Sequence, residues 1–126
     1  MDMRALHWDG HSLQVRTTYP EPKLTKRTAL VKVTLAGICS TDLQILRGYM
    51  GFSGVPGHEF VGTVVDGPGT LTGQRVVGEI NFACGSCAWC TRSLQRHCPT
   101  RQVMGILNAD GSFAEYLAVP IENLHV

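Results

Sequence analysis

Ala29-Leu-Val-Lys-Val-Thr-Leu-Ala36 alternates along its length, with Val31, Val33 and Leu35 on one side and Leu30, Lys32 and Thr34 on the other. Successive side chains of a strand point to opposite faces, so this period of two predicts a half-buried β-strand. The pattern returns in Phe60-Val-Gly-Thr-Val-Val65 and Phe113-Ala-Glu-Tyr-Leu-Ala-Val119, and residues 3–6, 12–17 and 75–78 are shorter candidates. Between the runs stand Tyr19-Pro-Glu-Pro22, Asp66-Gly-Pro-Gly69 and Asn108-Ala-Asp-Gly111, whose prolines and glycines favour turns. Only residues 41–46 read as helical, with Ser40 placed as a cap and Leu43 and Leu46 three apart. Short strands at this spacing predict a mostly β domain, a barrel or sandwich, with one short helix.

Composition sets the outer bounds. At 126 residues, 44% hydrophobic and 17% charged, the chain is long enough to bury one core, and residues 1–126 are read as a single domain. A formal net charge of +1 offers little attraction to phosphate, so nucleic acid is not an expected partner. No apolar run approaches the length of a membrane span. The opening Met1-Asp2-Met3-Arg4 lacks the apolar core of a secretion signal, and a cytoplasmic location is the expectation.

Four of the five cysteines fall in Cys84-Gly-Ser-Cys87-Ala-Trp-Cys90-Thr-Arg-Ser-Leu-Gln-Arg-His-Cys98, separated by gaps of two, two and seven. A chain returning every third residue can wrap three thiolates around one ion before a longer excursion delivers the fourth, which is what a closed tetrahedral zinc site requires. The odd cysteine count and the missing export signal argue against disulfides. A ferredoxin cluster would use a last gap of three, and although Pro99 follows Cys98, the gap here is seven. A nucleic-acid zinc ribbon would separate two C-x2-C pairs more widely. Residues 84–101 are therefore read as a zinc-binding lobe. His97 lies beside a tetrahedron that the cysteines already fill, so it is read as a neighbour of the site.

Upstream, Gly37-Ile-Cys39-Ser-Thr-Asp42 ends the central strand and Gly57-His58-Glu59-Phe-Val-Gly62 opens the next. A thiolate and an imidazole on neighbouring strand ends could share a metal, with Glu59 as a third donor. Taken singly, Cys39 fits a small buried hydrophobe, His58 a turn and Glu59 a surface charge. Spacing alone leaves both readings open.

The ordered series G-I-C-x-T-D, G-H-E-x-x-G, C-x2-C-x2-C-x7-C and G-x-F-A-E-Y resembles the zinc-dependent medium-chain alcohol and polyol dehydrogenases, in particular their GroES-like N-terminal domain. The resemblance spans nearly the whole chain and implies a GroES-like β-barrel with a short helix and a zinc lobe. It implies Cys39 and His58 as catalytic zinc ligands and Glu59 as a carboxylate able to approach the ion. By the same likeness Thr41 takes the substrate proton and Asp42 fixes the tautomer of His58, while Cys84, Cys87, Cys90 and Cys98 hold a structural zinc. The implied chemistry is Lewis-acid activation of an alcohol or polyol whose hydride passes to NAD or NADP.

The dinucleotide-binding half is not in this sequence. No G-x-G-x-x-G joins a strand to a helix, since Gly67-Pro-Gly69 has Thr72 where the third glycine should fall. The Rossmann domain and a third ligand for the catalytic zinc would come from elsewhere, so the chain is expected to be a fragment or excised domain, inactive alone. Gln74 stands where the family usually has aspartate, and Gln44 where several members place a proton-relaying histidine. The resemblance leaves substrate, coenzyme choice and homo-oligomer formation open. The alternative function is a non-enzymatic, zinc-stabilised β-barrel that docks a partner through exposed strand edges.

Overall fold

The computed structural model describes residues 1–126. Strands β1 (Asp2–Trp8) and β2 (Leu13–Pro20) form an antiparallel hairpin. β3 (Thr28–Gly37) leads into the one α-helix, α1 (Ser40–Ile45), and β4 (Glu59–Asp66) returns antiparallel to β3. β5 (Arg75–Gly78) and β6 (Asn81–Phe82) precede the cysteine lobe, and β7 (Gln102–Met104), β8 (Asn108–Ala109), β9 (Tyr116–Pro120) and β10 (Leu124–His125) follow it. The strands make three open sheets in the orders β1-β2, β10-β5-β4-β3-β9 and β6-β7-β8, and isolated bridges Ala5 to Ala114 and Trp8 to Gly54 tie the hairpin to the rest.

The main core lies on one face of the five-stranded sheet, where Ala29, Val31, Phe60, Val64, Val76, Leu117, Val119 and Leu124 are buried together with Met104 from β7. Burying aliphatic side chains of this size contributes about 1.5–3 kcal/mol each and is the dominant stabilising force. A second cluster of Trp8, Ile45 and Phe52 seats α1 against the hairpin, fixing the helix that carries Thr41 and Asp42. No helix is long and apolar enough to cross a membrane.

Strands at residues 29–36, 60–65 and 75–78 appear where the alternation predicts them, with differences at their ends. The inward phase of β3 fails at Leu35, which is 70% exposed, because a register irregularity between Val33 and Leu35 breaks the alternation. The run at residues 113–119 is a strand only from Tyr116. Upstream of that point Leu6 N donates to Phe113 O at 2.8 Å and Glu115 N to Arg4 O at 3.1 Å, so this stretch bonds to β1 instead. The helix starts one residue early, with Cys39 rather than Ser40 at its N-cap. The cause is local: the Asp42 carboxylate accepts the Cys39 N–H at 2.8 Å.

Two candidate metal centres

The register of β3 against β4 builds the first centre. Gly37, the last residue of β3, pairs with Glu59, the first residue of β4. Cys39 lies two residues beyond that pair and His58 one residue before it, so antiparallel pairing brings together groups that are far apart in sequence. The ligand atoms of Cys39, His58 and Glu59 lie within 4.8 Å of one another. Gly37 leaves room for the carboxylate, since a Cβ there would stand 3.3 Å from Glu59 Oε1.

Asp42 sits behind this trio and is 5% exposed. One carboxylate oxygen accepts the Cys39 N–H at 2.8 Å while the other lies 3.5 Å from His58 Nδ1. That second oxygen and His58 Nδ1 have no other partner, and both are buried. The imidazole therefore turns its Nδ1 edge toward an anion and its Nε2 toward Glu59 Oε2, 3.7 Å away. The Thr41 hydroxyl is 3.7 Å from Cys39 Sγ. One thiolate, one imidazole and one carboxylate form a mixed soft and borderline donor set of the kind that zinc takes.

The second centre is the lobe between β6 and β7. The ligand atoms of Cys84, Cys87, Cys90 and Cys98 converge within 4.8 Å. Three-residue spacing places backbone N–H groups over the sulfurs: Cys87 N donates to Cys84 Sγ at 3.3 Å, Cys90 N to Cys87 Sγ at 3.4 Å and Cys84 N to Cys98 Sγ at 3.4 Å. The amides of Ser86 and Cys87 pull the Cys84 thiol down to about 5, and the amide of Cys84 lowers Cys98. Burial pushes Cys90 up to about 12. Four sulfurs, two of them held toward thiolate by amides, fit a closed tetrahedral zinc site. His97 packs beside Trp89, ring centres 5.8 Å apart.

Every ligand candidate of the sequence reading thus falls in one of two clusters. Sequence reasoning missed Gly37 as the residue that admits Glu59, and Arg27, whose guanidinium donates to the carbonyls of Cys84 and Ala83 and pairs with Glu122. Gly37 opens the G-I-C-x-T-D motif but its role depends on strand register, and Arg27 belongs to no motif. A cavity of about 470 Å³ lies elsewhere, between the β1–β2 hairpin, β9 and the edge of the lobe, and neither Cys39 nor His58 lines it.

This mostly β architecture with its cysteine lobe has close counterparts. Residues 25–126 match the alcohol dehydrogenase GroES-like domain, and the chain belongs to that family. It is 40% identical over 118 residues to the L-threonine 3-dehydrogenase of Streptomyces coelicolor, covering 85% of this chain and 34% of that protein. It is 34% identical over 130 residues to the D-altritol 5-dehydrogenase of Agrobacterium fabrum, covering 98% of this chain and 38% of the relative. The short chain alcohol dehydrogenase RspB of Escherichia coli CFT073, solved in complex with NADH, superposes with a TM-score of 0.80 at 34% identity, covering 98% of this chain and 37% of the other. The chain spans between a third and two-fifths of the length of these relatives.

Proposed function

We propose that this chain is the metal-holding N-terminal domain of a zinc-dependent, nicotinamide-linked dehydrogenase of alcohols or polyols. The observation that carries the reading is the Gly37–Glu59 pairing, which gathers Cys39, His58 and Glu59 beside the hydroxyl of Thr41 and in front of buried Asp42. Cys39, His58 and Glu59 would hold the catalytic zinc, and Cys84, Cys87, Cys90 and Cys98 a structural one. When bound at the first centre, zinc supplies Lewis acidity to an alcohol oxygen.

The chain's own residues have separable tasks. Asp42 keeps the proton of neutral His58 on Nδ1, which leaves the Nε2 lone pair free for the metal. Thr41 takes the substrate hydroxyl proton. Gln44, one helical turn further and exposed, has no titration near neutrality, so Thr41 passes that proton to water or to the coenzyme ribose. A metal held by the four cysteines would cross-link residues 84–98. The relatives' substrates, threonine and altritol, are hydroxyl compounds, which supports a small alcohol or polyol here; NADH in the RspB structure supports a nicotinamide partner.

Cobalt titration of the chain tests this reading. An intense tetrathiolate set is expected at full occupancy, together with a weaker, substoichiometric set with one thiolate that disappears in Cys39→Ser, since the resemblance places a further ligand of that centre elsewhere. A weaker set that survives Cys39→Ser overturns the catalytic assignment, and lack of tetrathiolate bands overturns the structural one.

A further inference from the structure

Arg27 lies just before β3, 57 residues from Cys84 in sequence, yet it grips the start of the lobe. Its Nη1 donates to the Cys84 carbonyl, while its Nη2 donates to the Ala83 carbonyl at 3.4 Å and pairs with Glu122 Oε1 at 3.0 Å. Its own carbonyl accepts the N–H of Ile121 at 2.8 Å. Gly85 completes the fit: with φ at +79°, it leaves no side chain in the way, and a Cβ there would stand 2.7 Å from Arg27 Nη2.

Cys84 is also the hub of the sulfur cluster. Its Sγ accepts the N–H groups of Ser86 and Cys87 at 3.5 and 3.3 Å, and its own N–H donates to Cys98 Sγ at 3.4 Å. Fixing the Cys84 carbonyl fixes the peptide plane that leads into this turn, and with it the aim of the amides at the sulfurs. A planar guanidinium can hold two carbonyls and a carboxylate together, whereas an ammonium lacks the fork geometry. The Arg27–Glu122 pair is half exposed, so as a simple ion pair it contributes little; its effect lies in orientation.

We propose that Arg27, braced by Glu122, is a positioning residue of the four-cysteine centre that sets how slowly the lobe releases its metal. The proposal rests on the reading of the lobe as a zinc site. Groups that orient ligands from outside the coordination sphere typically change metal affinity by about 10–100-fold. In the zinc-loaded chain, transfer to a chromogenic chelator should accelerate by about that factor in Arg27→Ala, and by a smaller factor in Arg27→Lys and Glu122→Gln. Tetrathiolate cobalt bands should shift in Arg27→Ala. Metal release from the Cys39 centre, followed in the same samples, should not change.

Lobe release within twofold of the unsubstituted chain in all three variants overturns the proposal while leaving the zinc reading intact. Equal acceleration at both centres shows general loosening of the fold and overturns it as well. If Arg27→Ala does not fold, Arg27→Lys and Glu122→Gln decide by the same readouts. Lack of tetrathiolate bands in the unsubstituted chain removes the zinc reading and this proposal together.

Discussion

Asp42 serves two neighbours with one buried carboxylate, capping the helix at Cys39 and facing Nδ1 of His58. Its replacement by asparagine preserves shape but can present an N–H to His58 Nδ1, which favours the wrong tautomer. Asp42→Asn should therefore weaken metal binding at the Cys39 centre by about 10–100-fold while sparing the lobe, as read by competition with a chelator. Equal weakening of both centres would contradict that assignment. A second residue-scale expectation concerns Tyr19, whose hydroxyl donates to Asp110 at 2.6 Å. Burial and then the Asp110 carboxylate push the Tyr19 phenol up to about 12. The folded state then keeps a proton that the unfolded chain loses near 10, so the stabilisation is complete below about pH 10 and declines as pH rises toward 12. Tyr19→Phe should flatten the alkaline limb of urea midpoint against pH between those values; an unchanged limb would remove Tyr19 as its cause.

The β3–β4 pair is the element on which the first centre depends. Gly62 lies in β4 where a Cβ would stand 2.5 Å from both the Lys32 carbonyl oxygen and Val31 Cγ1. One partner is backbone, which cannot rotate away. Gly62→Ala should cost about 1–3 kcal/mol in urea unfolding, the usual penalty of overpacking. It should also disturb the pairing of Gly37 with Glu59, so metal affinity at the Cys39 centre should fall in folded Gly62→Ala protein. A neutral effect on both stability and affinity would show that the strands separate without consequence.

At the scale of the whole chain, the two candidate centres differ in kind: one gathers four cysteine sulfurs in a single lobe, the other is assembled from two strand ends and a helix. The nicotinamide would need a helix N-terminus behind a glycine-rich turn for its pyrophosphate, and residues 1–126 contain no G-x-G-x-x-G. Calorimetry of the 126-residue chain with NAD and NADP should register no binding. Micromolar affinity for either would reveal a coenzyme site on this domain that the glycine motif does not predict.

Period-two alternation was enough to place the main strands, because burying one face of a sheet forces that period locally. The cysteine spacing was enough to nominate the lobe, because a single ion needs its ligands on a short tether. Cys39, His58 and Glu59 were legible as candidates only, since spacing alone left bland readings open and the ordered motifs supplied the rest. What joins them is the Gly37–Glu59 register. Register depends on pairing across the β3–β4 loop, together with the irregularity that exposes Leu35, and neither is a property of a short window. Arg27 was illegible for the same reason: it reaches carbonyls 56 and 57 residues away, and a carbonyl has the same chemistry whichever residue bears it. Local residue chemistry thus determined which groups could bind and which segments would extend, while tertiary pairing decided which of them meet, because contacts between distant segments depend on how the whole chain closes around its core.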